Sequence, residues 1–164
     1  MSLDLNNLKE QVQSIFQTAN TTTASRDLSN GLATRVQRVL KVNPARIPVQ
    51  ASWYPFVTCY IESKNLEEAG IAITQATSKR KAIINLKVIG AIWNSSSNDG
   101  EVDPADEDCE DLMENIEEIL RANPTLSGVS LWSFPTDVTY HNVALEEETH
   151  IRAGILNLKT TIYY

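Results

Sequence analysis

Apolar residues near the start of the chain follow the period of a helix. They recur every three or four positions with polar residues between them: Leu5, Leu8, Val12, Ile15 and Phe16. This spacing predicts an amphipathic helix over residues 4–18 that covers one face of a sheet, with Ser2 or Asp4 as its cap. Residues 18–31 are rich in Thr, Ser and Asn and have no apolar period, so we predict a polar loop there.

The middle of the chain changes to the two-residue period of strands. Residues 34–42 fit a helix and a strand almost equally well, and we favour the strand. Strands are also predicted over 55–63, 70–77 and 79–93. The third of these is the longest, and one of its two alternating faces is wholly apolar, which predicts that this face lies in the core: Ala82, Ile84, Leu86 and Val88.

A second helix is predicted after a loop at 94–103. Asp103 can act as its N-cap, Pro104 suits its first position, and Pro124 and Gly128 mark its end. Its apolar positions form one stripe that we expect to be buried: Leu112, Met113, Ile116, Ile119 and Leu120.

Three β-like segments complete the chain, at 128–134, 136–143 and 150–164. Helix, strands, helix and strands in this order predict an α+β fold. We expect a largely antiparallel β-sheet packed by two main α-helices, in a single domain over residues 1–164.

Carboxylates are concentrated between residues 99 and 120, which hold 11 of the 21 in the chain. Asp106, Glu107 and Asp108 fall in the first helical turn, where negative charge meets the positive end of the helix dipole. A solvated acidic helix face explains the run better than a calcium loop, of which only Asp99 and Gly100 fit the pattern. Weak binding of a cation stays an open alternative.

Other chemical motifs do not match. The spacing of Cys59, Cys109, His141 and His150 fits no zinc module, and we expect both cysteines to be free thiols. The chain contains no G-x-S-x-G elbow and no glycine-rich phosphate loop. We therefore expect no catalytic residue, no cofactor and no metal. With no long apolar run and no signal-like start, we also expect no membrane and a cytoplasmic setting.

Charge is divided unevenly along the chain. Residues 1–98 hold 11 Lys or Arg against 6 Asp or Glu, whereas residues 99–164 hold 3 against 15. An acidic total disfavours a dedicated nucleic-acid binder, because such proteins neutralise phosphates with cations. A small basic patch near Arg80 and the aromatic residues at 53–60 leave nucleic-acid binding as an alternative function.

The order of these segments resembles a known family. An N-terminal helix is followed by "RVQRVLKV", "YPFVTCYIES" and "AIINLKVIGAIW", then by "DLMENIEEILRANPTLSGVSLWSFPTDVTYH" and "AGILNLKTTIYY". This pattern resembles the tail terminator, or tail-completion, proteins of long-tailed bacteriophages (siphophages). The Thr-rich residues 21–25 and the acidic loop before the second helix depart from the pattern of this family.

The resemblance implies a structural protein without catalytic residues. Such a protein assembles as a hexameric ring, caps the tail tube, stops its polymerisation and offers a surface to the head-completion or connector protein. Genomic DNA passes through the ring without sequence-specific binding. The implied location is the neck of the virion, and the host cytoplasm during assembly. Another neck or minor tail component, or a small cytoplasmic protein-binding adaptor, is the alternative.

Assembly through separated charges gives two groups of candidate residues. We predict that a basic segment of one subunit lies toward the acidic surface of its neighbour. The basic residues are Lys79, Arg80 and Lys81. The acidic residues are Asp106, Glu107 and Glu110. The alternative is that both groups only keep the surface solvated. A second expectation is a mobile loop that orders against a neighbour: Asn98, Asp99, Gly100 and Glu101.

Overall fold

One five-stranded sheet organises the computed structural model, which describes residues 4–67, 80–94, 104–146 and 149–164. The elements are α1 (Leu5–Ala19), β1 (Arg38–Leu40), β2 (Phe56–Glu67), β3 (Lys81–Asn94), α2 (Pro104–Ala122), β4 (Trp132–Glu146) and β5 (Thr149–Tyr163). The strand order is β1-β2-β3-β5-β4, and only the β1–β2 pair is parallel. The predicted single-domain α+β fold, with a largely antiparallel sheet and two main helices, is confirmed.

Helix α1 begins where its cap satisfies a free backbone donor. The Asp4 carboxylate accepts a hydrogen bond from the backbone N–H of Asn7 at 3.0 Å. The helix buries Leu8, Val12 and Phe16 against the sheet, as its apolar period predicted. Its end lies at Ala19, one residue beyond the prediction, while Ser2 lies outside the described residues.

The core lies between the helices and one face of the sheet. The face of β3 that was predicted to be buried is fully enclosed, and so is the predicted apolar stripe of α2. Gly90 and Gly154 are cross-strand partners beneath α2. A Cβ atom at Gly154 would lie 2.6 Å from Met113 Sδ, and one at Gly90 would lie 2.9 Å from Leu112 Cδ2. The two glycines therefore let the helix approach the sheet closely.

The strand predicted over 34–42 is much shorter in the structure. Only Arg38–Leu40 pair with β2, and they do so in parallel. The Gln37 N–H still donates to Pro55 O, directly before β2, at 2.7 Å. The backbone of Val36 is bonded elsewhere, because its C=O accepts from Asn20 Nδ2 at 2.9 Å and its N–H donates to Ser29 Oγ at 3.0 Å. The chain then crosses the sheet edge, where the Thr58 hydroxyl donates to Val42 O at 2.6 Å.

The β-like segments at 128–134 and 136–143 do not form two strands, which corrects the prediction. They join in the single strand β4, which begins at Trp132. A register shift between Pro135 and Asp137 accommodates the proline. Proline fits there because β4 is an edge strand, so its missing N–H is tolerated.

The polar loop predicted at 18–31 begins after Ala19 and is held by side chains. Arg35 binds both carboxylate oxygens of Asp27, at 2.8 and 2.9 Å, and Ser29 Oγ donates to Asn20 Oδ1 at 2.7 Å. Leu28 is fully buried in the core. The strand predicted at 70–77 lies outside the described residues, and so does the loop predicted at 94–103 apart from Asn94, which ends β3.

Candidate functional site

The predicted basic segment lies at the start of β3. Arg80 is exposed, and its backbone N–H and C=O each pair with the backbone of Tyr164 at 3.0 Å. Lys81 Nζ lies 2.6 Å from Glu67 Oε2, and this hydrogen bond raises the pKa of Lys81. Much of the Lys81 charge is therefore balanced within its own subunit. Lys79 lies outside the described residues.

The predicted acidic residues lie at the start of α2. Asp106 Oδ1 lies 2.6 Å from Arg152 Nε, without the alignment of a hydrogen bond, so the contact is an ion pair. Arg152 also donates to Asn142 Oδ1 at 3.0 Å, and its guanidinium carbon lies 5.4 Å from the centre of the Tyr140 ring. This cluster fastens the first turn of α2 to the sheet. Glu107 and Glu110, also predicted to be site residues, are exposed.

The structure does not bring the predicted basic and acidic residues together within one subunit. Lys81 lies opposite Tyr163 in the sheet, whereas Asp106 contacts Arg152. From Arg152 to Tyr163 the strand extends about 37 Å, at roughly 3.4 Å per residue. The predicted loop residues lie outside the described part of the chain: Asn98, Asp99, Gly100 and Glu101.

One edge of the sheet is formed by β4, which pairs only with β5 among the described strands. Trp132, Phe134 and Val143 project from it with 53%, 39% and 47% of their surface exposed. Arg152, which contacts Asp106 at the start of α2, also packs on the Tyr140 ring of β4. Glu110 and Glu114 follow Asp106 at four-residue intervals, so they lie on the same face of α2, toward β4. Burial raises the pKa of Tyr140, and Cys109, Glu110 and Glu114 add to this effect. We define the acidic edge as β4 together with Glu110, Glu114 and Asp137.

The opposite edge carries positive charge. Strand β1 pairs with β2 only as far as Thr58, so the outer side of β2 has no strand partner from Tyr60 onward among the described residues. A groove of about 660 Å³ follows this open side and is lined by Lys9, Lys41, Val42, Asn43, Arg46, Ile47, Tyr60, Ile61 and Glu62.

Two of the cations in this groove are free of ion pairs. Lys41 pairs with Glu10 at 2.6 Å, and Glu62 pairs with Lys87 at 2.6 Å. Within the described part of the chain, Lys9 and Arg46 have no carboxylate within ion-pair distance. We define the basic edge as the open side of β2 together with Lys9, Arg38, Lys41 and Arg46.

Sequence reasoning missed the basic edge as a site. Arg38, Lys41 and Arg46 are close together in the chain, but Lys9 is distant from them, and α1 brings it to this edge by packing on β1 and β2. The excess of Lys and Arg over residues 1–98 was the available signal, but it did not show which of these cations share a surface.

A second groove, of about 500 Å³, lies between the ends of both helices and residues 21–26. Its lining consists mostly of hydroxyl, amide and small apolar side chains, and Arg26 is the one charged residue in it. General acid–base chemistry requires positioned groups that titrate near the working pH, and this lining offers none.

Both cysteines are buried free thiols, as predicted. Burial raises the pKa of Cys59 and of Cys109 to about 12, so both stay protonated and unreactive. In the described ranges, no three Asp, Glu, His or Cys side chains come together as a possible metal site. Nor does either described helix combine the length and apolar character needed to cross a membrane.

Comparison with known proteins adds no family. No protein-family model matches this chain, and a search of the curated proteins finds no match.

Proposed function

We propose that this protein is a structural virion component that forms a ring on the tail tube of a long-tailed bacteriophage. It caps the tube, ends its polymerisation and provides the surface for head-to-tail joining. Its partners are further copies of itself, in a homo-hexamer, the tail tube protein and a head-completion or connector protein. Genomic DNA passes through the ring without sequence-specific contacts. The protein acts in the neck of the virion after assembly in the host cytoplasm.

The observation that carries this proposal is the exposed edge strand β4. Its first residues are protected, because the Ser133 N–H donates to Pro124 O and Pro135 has no N–H. From Asp137 to Ala144 the strand has no partner on its outer side among the described residues, and Tyr140 and Val143 are exposed along it. An open edge of this kind is a hazard for a protein that stays alone, because it invites pairing with other strands. Natural monomers shorten or cover such edges. A protein whose working state is an assembly can keep one, since its neighbours cover it.

The order of the elements gives further support. Helix α1, the pair β2 and β3, the acidic helix α2 and the closing pair β4 and β5 follow the order on which the resemblance to tail terminators rests. The alternative of a small cytoplasmic adaptor draws on the groove beside β2, whose lining contains both cations and apolar side chains. An adaptor of that kind would be monomeric or dimeric.

The test combines mass and activity. Analytical ultracentrifugation and negative-stain images of the purified protein should show a closed ring of identical subunits. Adding the protein to the polymerising tail tube protein of the same phage should shorten the tubes and place density at one end only. A monomer that binds a peptide and leaves the length of the tubes unchanged would contradict the proposal.

A further inference from the structure

We infer that the acidic edge of one copy docks against the basic edge of the next copy, with β4 adding to the open side of β2. The sheet would then continue from subunit to subunit. This inference rests on the proposed ring and specifies its subunit contact. It replaces the basic residues predicted from the sequence with Lys9 and Arg46 of the groove.

The first argument is that each edge lacks a strand partner. At the start of β4, the Ser133 N–H donates to Pro124 O at 2.6 Å and Pro135 has no N–H. Beyond Pro135, the outer side of β4 has no strand partner among the described residues, and neither has the outer side of β2 beyond Thr58. A strand that adds to a free edge satisfies those groups on both partners through main-chain hydrogen bonds. The groove along β2 leaves space for the incoming strand, and Lys9 and Arg46 are part of its lining.

The second argument concerns strand direction. From β2 through β3 and β5 to β4, every pair is antiparallel, so β4 runs opposite to β2. A rotation about an axis that follows the strands carries one subunit to the next and preserves these directions. The β4 strand of one copy therefore meets β2 of its neighbour in antiparallel orientation, which is the more stable form of pairing per residue.

The third argument is charge. Glu110 and Glu114 lie on the face of α2 that begins at Asp106, which contacts Arg152 beside Tyr140 of β4. Among the described residues, neither acid has an ion-pair partner, and neither do Lys9 and Arg46 in the groove beside β2. Opposite charges on the two surfaces guide register and disfavour pairing of like edges, acidic to acidic or basic to basic. The contact is consequently heterologous, one patch against a different patch, which is the kind of contact that builds a ring.

Apolar surface is present on both sides of the contact. Trp132 and Phe134 are exposed along β4, and Val42 and Ile47 line the groove beside β2. Burial of apolar area contributes about 25 cal/mol per Å². We therefore expect this area to supply affinity while the charges select the partner edge.

Two charge-reversal variants test the contact. The first carries Glu110→Lys and Glu114→Lys, and the second carries Lys9→Glu and Arg46→Glu. Each variant alone should repel its own copies, so the concentration needed for half assembly should rise at least about tenfold. Raising the salt to roughly 1 M, where screening acts within about 3 Å, should recover part of the assembly.

Mixing the two variants gives the decisive measurement. In an equimolar mixture, the new lysines of the first variant face the new glutamates of the second. At the other contact, the native acidic edge of the second faces the native basic edge of the first. Every contact then joins opposite charges, and sedimentation velocity should show assembly restored with the two variants in equal amounts.

Matched controls make the same kinds of charge reversal at positions that belong to neither edge. Arg26→Glu and Glu118→Lys lie beside the groove between residues 22–30 and α2, and should assemble like the parent. A third comparison reverses Lys79, Arg80 and Lys81 to Glu, the residues predicted from the sequence. Circular dichroism and thermal unfolding confirm that each variant is folded.

The outcomes separate this contact from the ring itself. A parent protein that stays monomeric would overturn both. If the parent assembles and either double variant also assembles alone at roughly 0.15 M salt, or if the folded variants fail to recover on mixing, the edge contact is wrong and the ring stands. Loss of assembly in the Lys79, Arg80 and Lys81 reversal alone, with the two double variants unaffected, would return the contact to that segment.

Discussion

Two neighbouring rows of residues cross the same four strands and differ completely in character. On the face covered by the helices, cross-strand partners give the row Cys59, Val88, Leu156 and Val138. One position further along, on the open face, the row is Tyr60, Lys87, Asn157 and Asp137. The first row is apolar and almost wholly buried, whereas the second contains hydrogen bonds and an ion pair.

The difference shows where the sheet derives its stability. Cys59, Val88 and Leu156 expose at most 1% of their surface, so the covered row contributes through burial. In the open row, Lys87 pairs with Glu62 at 2.6 Å and Asn157 donates to Asp137 at 2.7 Å. Such exposed polar pairs contribute little each. The covered face therefore supplies most of the stability of the subunit. Contacts on the open face can change at little cost to the fold.

The largest effect is expected from Leu86→Ala on the covered face. Leu86 is fully buried, and removing its side chain leaves a cavity beneath the helices. We expect the free energy of unfolding to fall by about 2 to 5 kcal/mol. Urea titration followed by circular dichroism measures the loss. Lys87→Ala, the next residue on the same strand, should cost far less, and equal losses would mean that the two faces are assigned wrongly.

A second loss of stability is expected from a substitution where α2 packs on the covered face. In Gly154→Ala, the added methyl group meets Met113, so the helix or the side chain must shift. We expect a loss of about 1 to 3 kcal/mol in the free energy of unfolding, the range typical of overpacking.

A double-mutant cycle shows whether Met113 is the cause. If it is, Gly154→Ala should cost much less in a Met113→Ala background, since the truncated side chain makes room. Additive losses in the double variant would instead indicate a change in the strand backbone.

The sequence predicted the covered face well because two periodicities agreed there. The alternation along β3 and the apolar stripe of α2 both marked the residues that the structure buries, from Ile84 to Ile116. Local signals also gave Asp4 as one of two candidate caps of α1, and they placed Pro104 at the first position of α2.

The edges of the sheet were predicted less well, because the local sequence pattern does not show which strands pair or where their pairing ends. The segment 34–42 alternates like a strand, yet the backbone of Val36 is bonded by the side chains of Asn20 and Ser29, and only three residues pair in the sheet. Pro135 looked like a break between strands, but an edge position and a register shift absorb it. The candidate site lies at these edges, so it depended on the least predictable part of the fold.

A smaller effect is expected from Asp27→Asn, beside the helix layer. The Arg35 guanidinium, donating to both carboxylate oxygens, holds the pKa of Asp27 below its usual range, with help from the Ser29 N–H and against the effect of partial burial. A lowered pKa stabilises the fold above the unfolded value of about 3.9 and loses this effect as the pH falls through the folded value. The variant should therefore be less stable than the parent at neutral pH and equal to it in strong acid, as thermal unfolding across the range from about pH 7 to pH 2 can measure. A difference that stays constant with pH would show that the carboxylate charge is not the cause.

The smallest effect is expected on the open face, from Asp137→Asn. The pKa of Asp137 is lowered, first by the Thr136 hydroxyl at 2.8 Å, then by Asn157 at 2.7 Å, with a weaker contribution from the charge of Lys87. The sign is the same as for Asp27, so the stabilisation is present above the unfolded pKa and disappears as the pH falls through the lowered one. Because Asp137 is exposed and solvent weakens its contacts, the change in unfolding temperature at neutral pH should be smaller than for Asp27→Asn. The same pH series measures both variants side by side. An effect of Asp137→Asn as large as that of Asp27→Asn would mean that the polar row on the open face stabilises the subunit as strongly as the network on the helix side, and the contrast between the two faces would no longer hold.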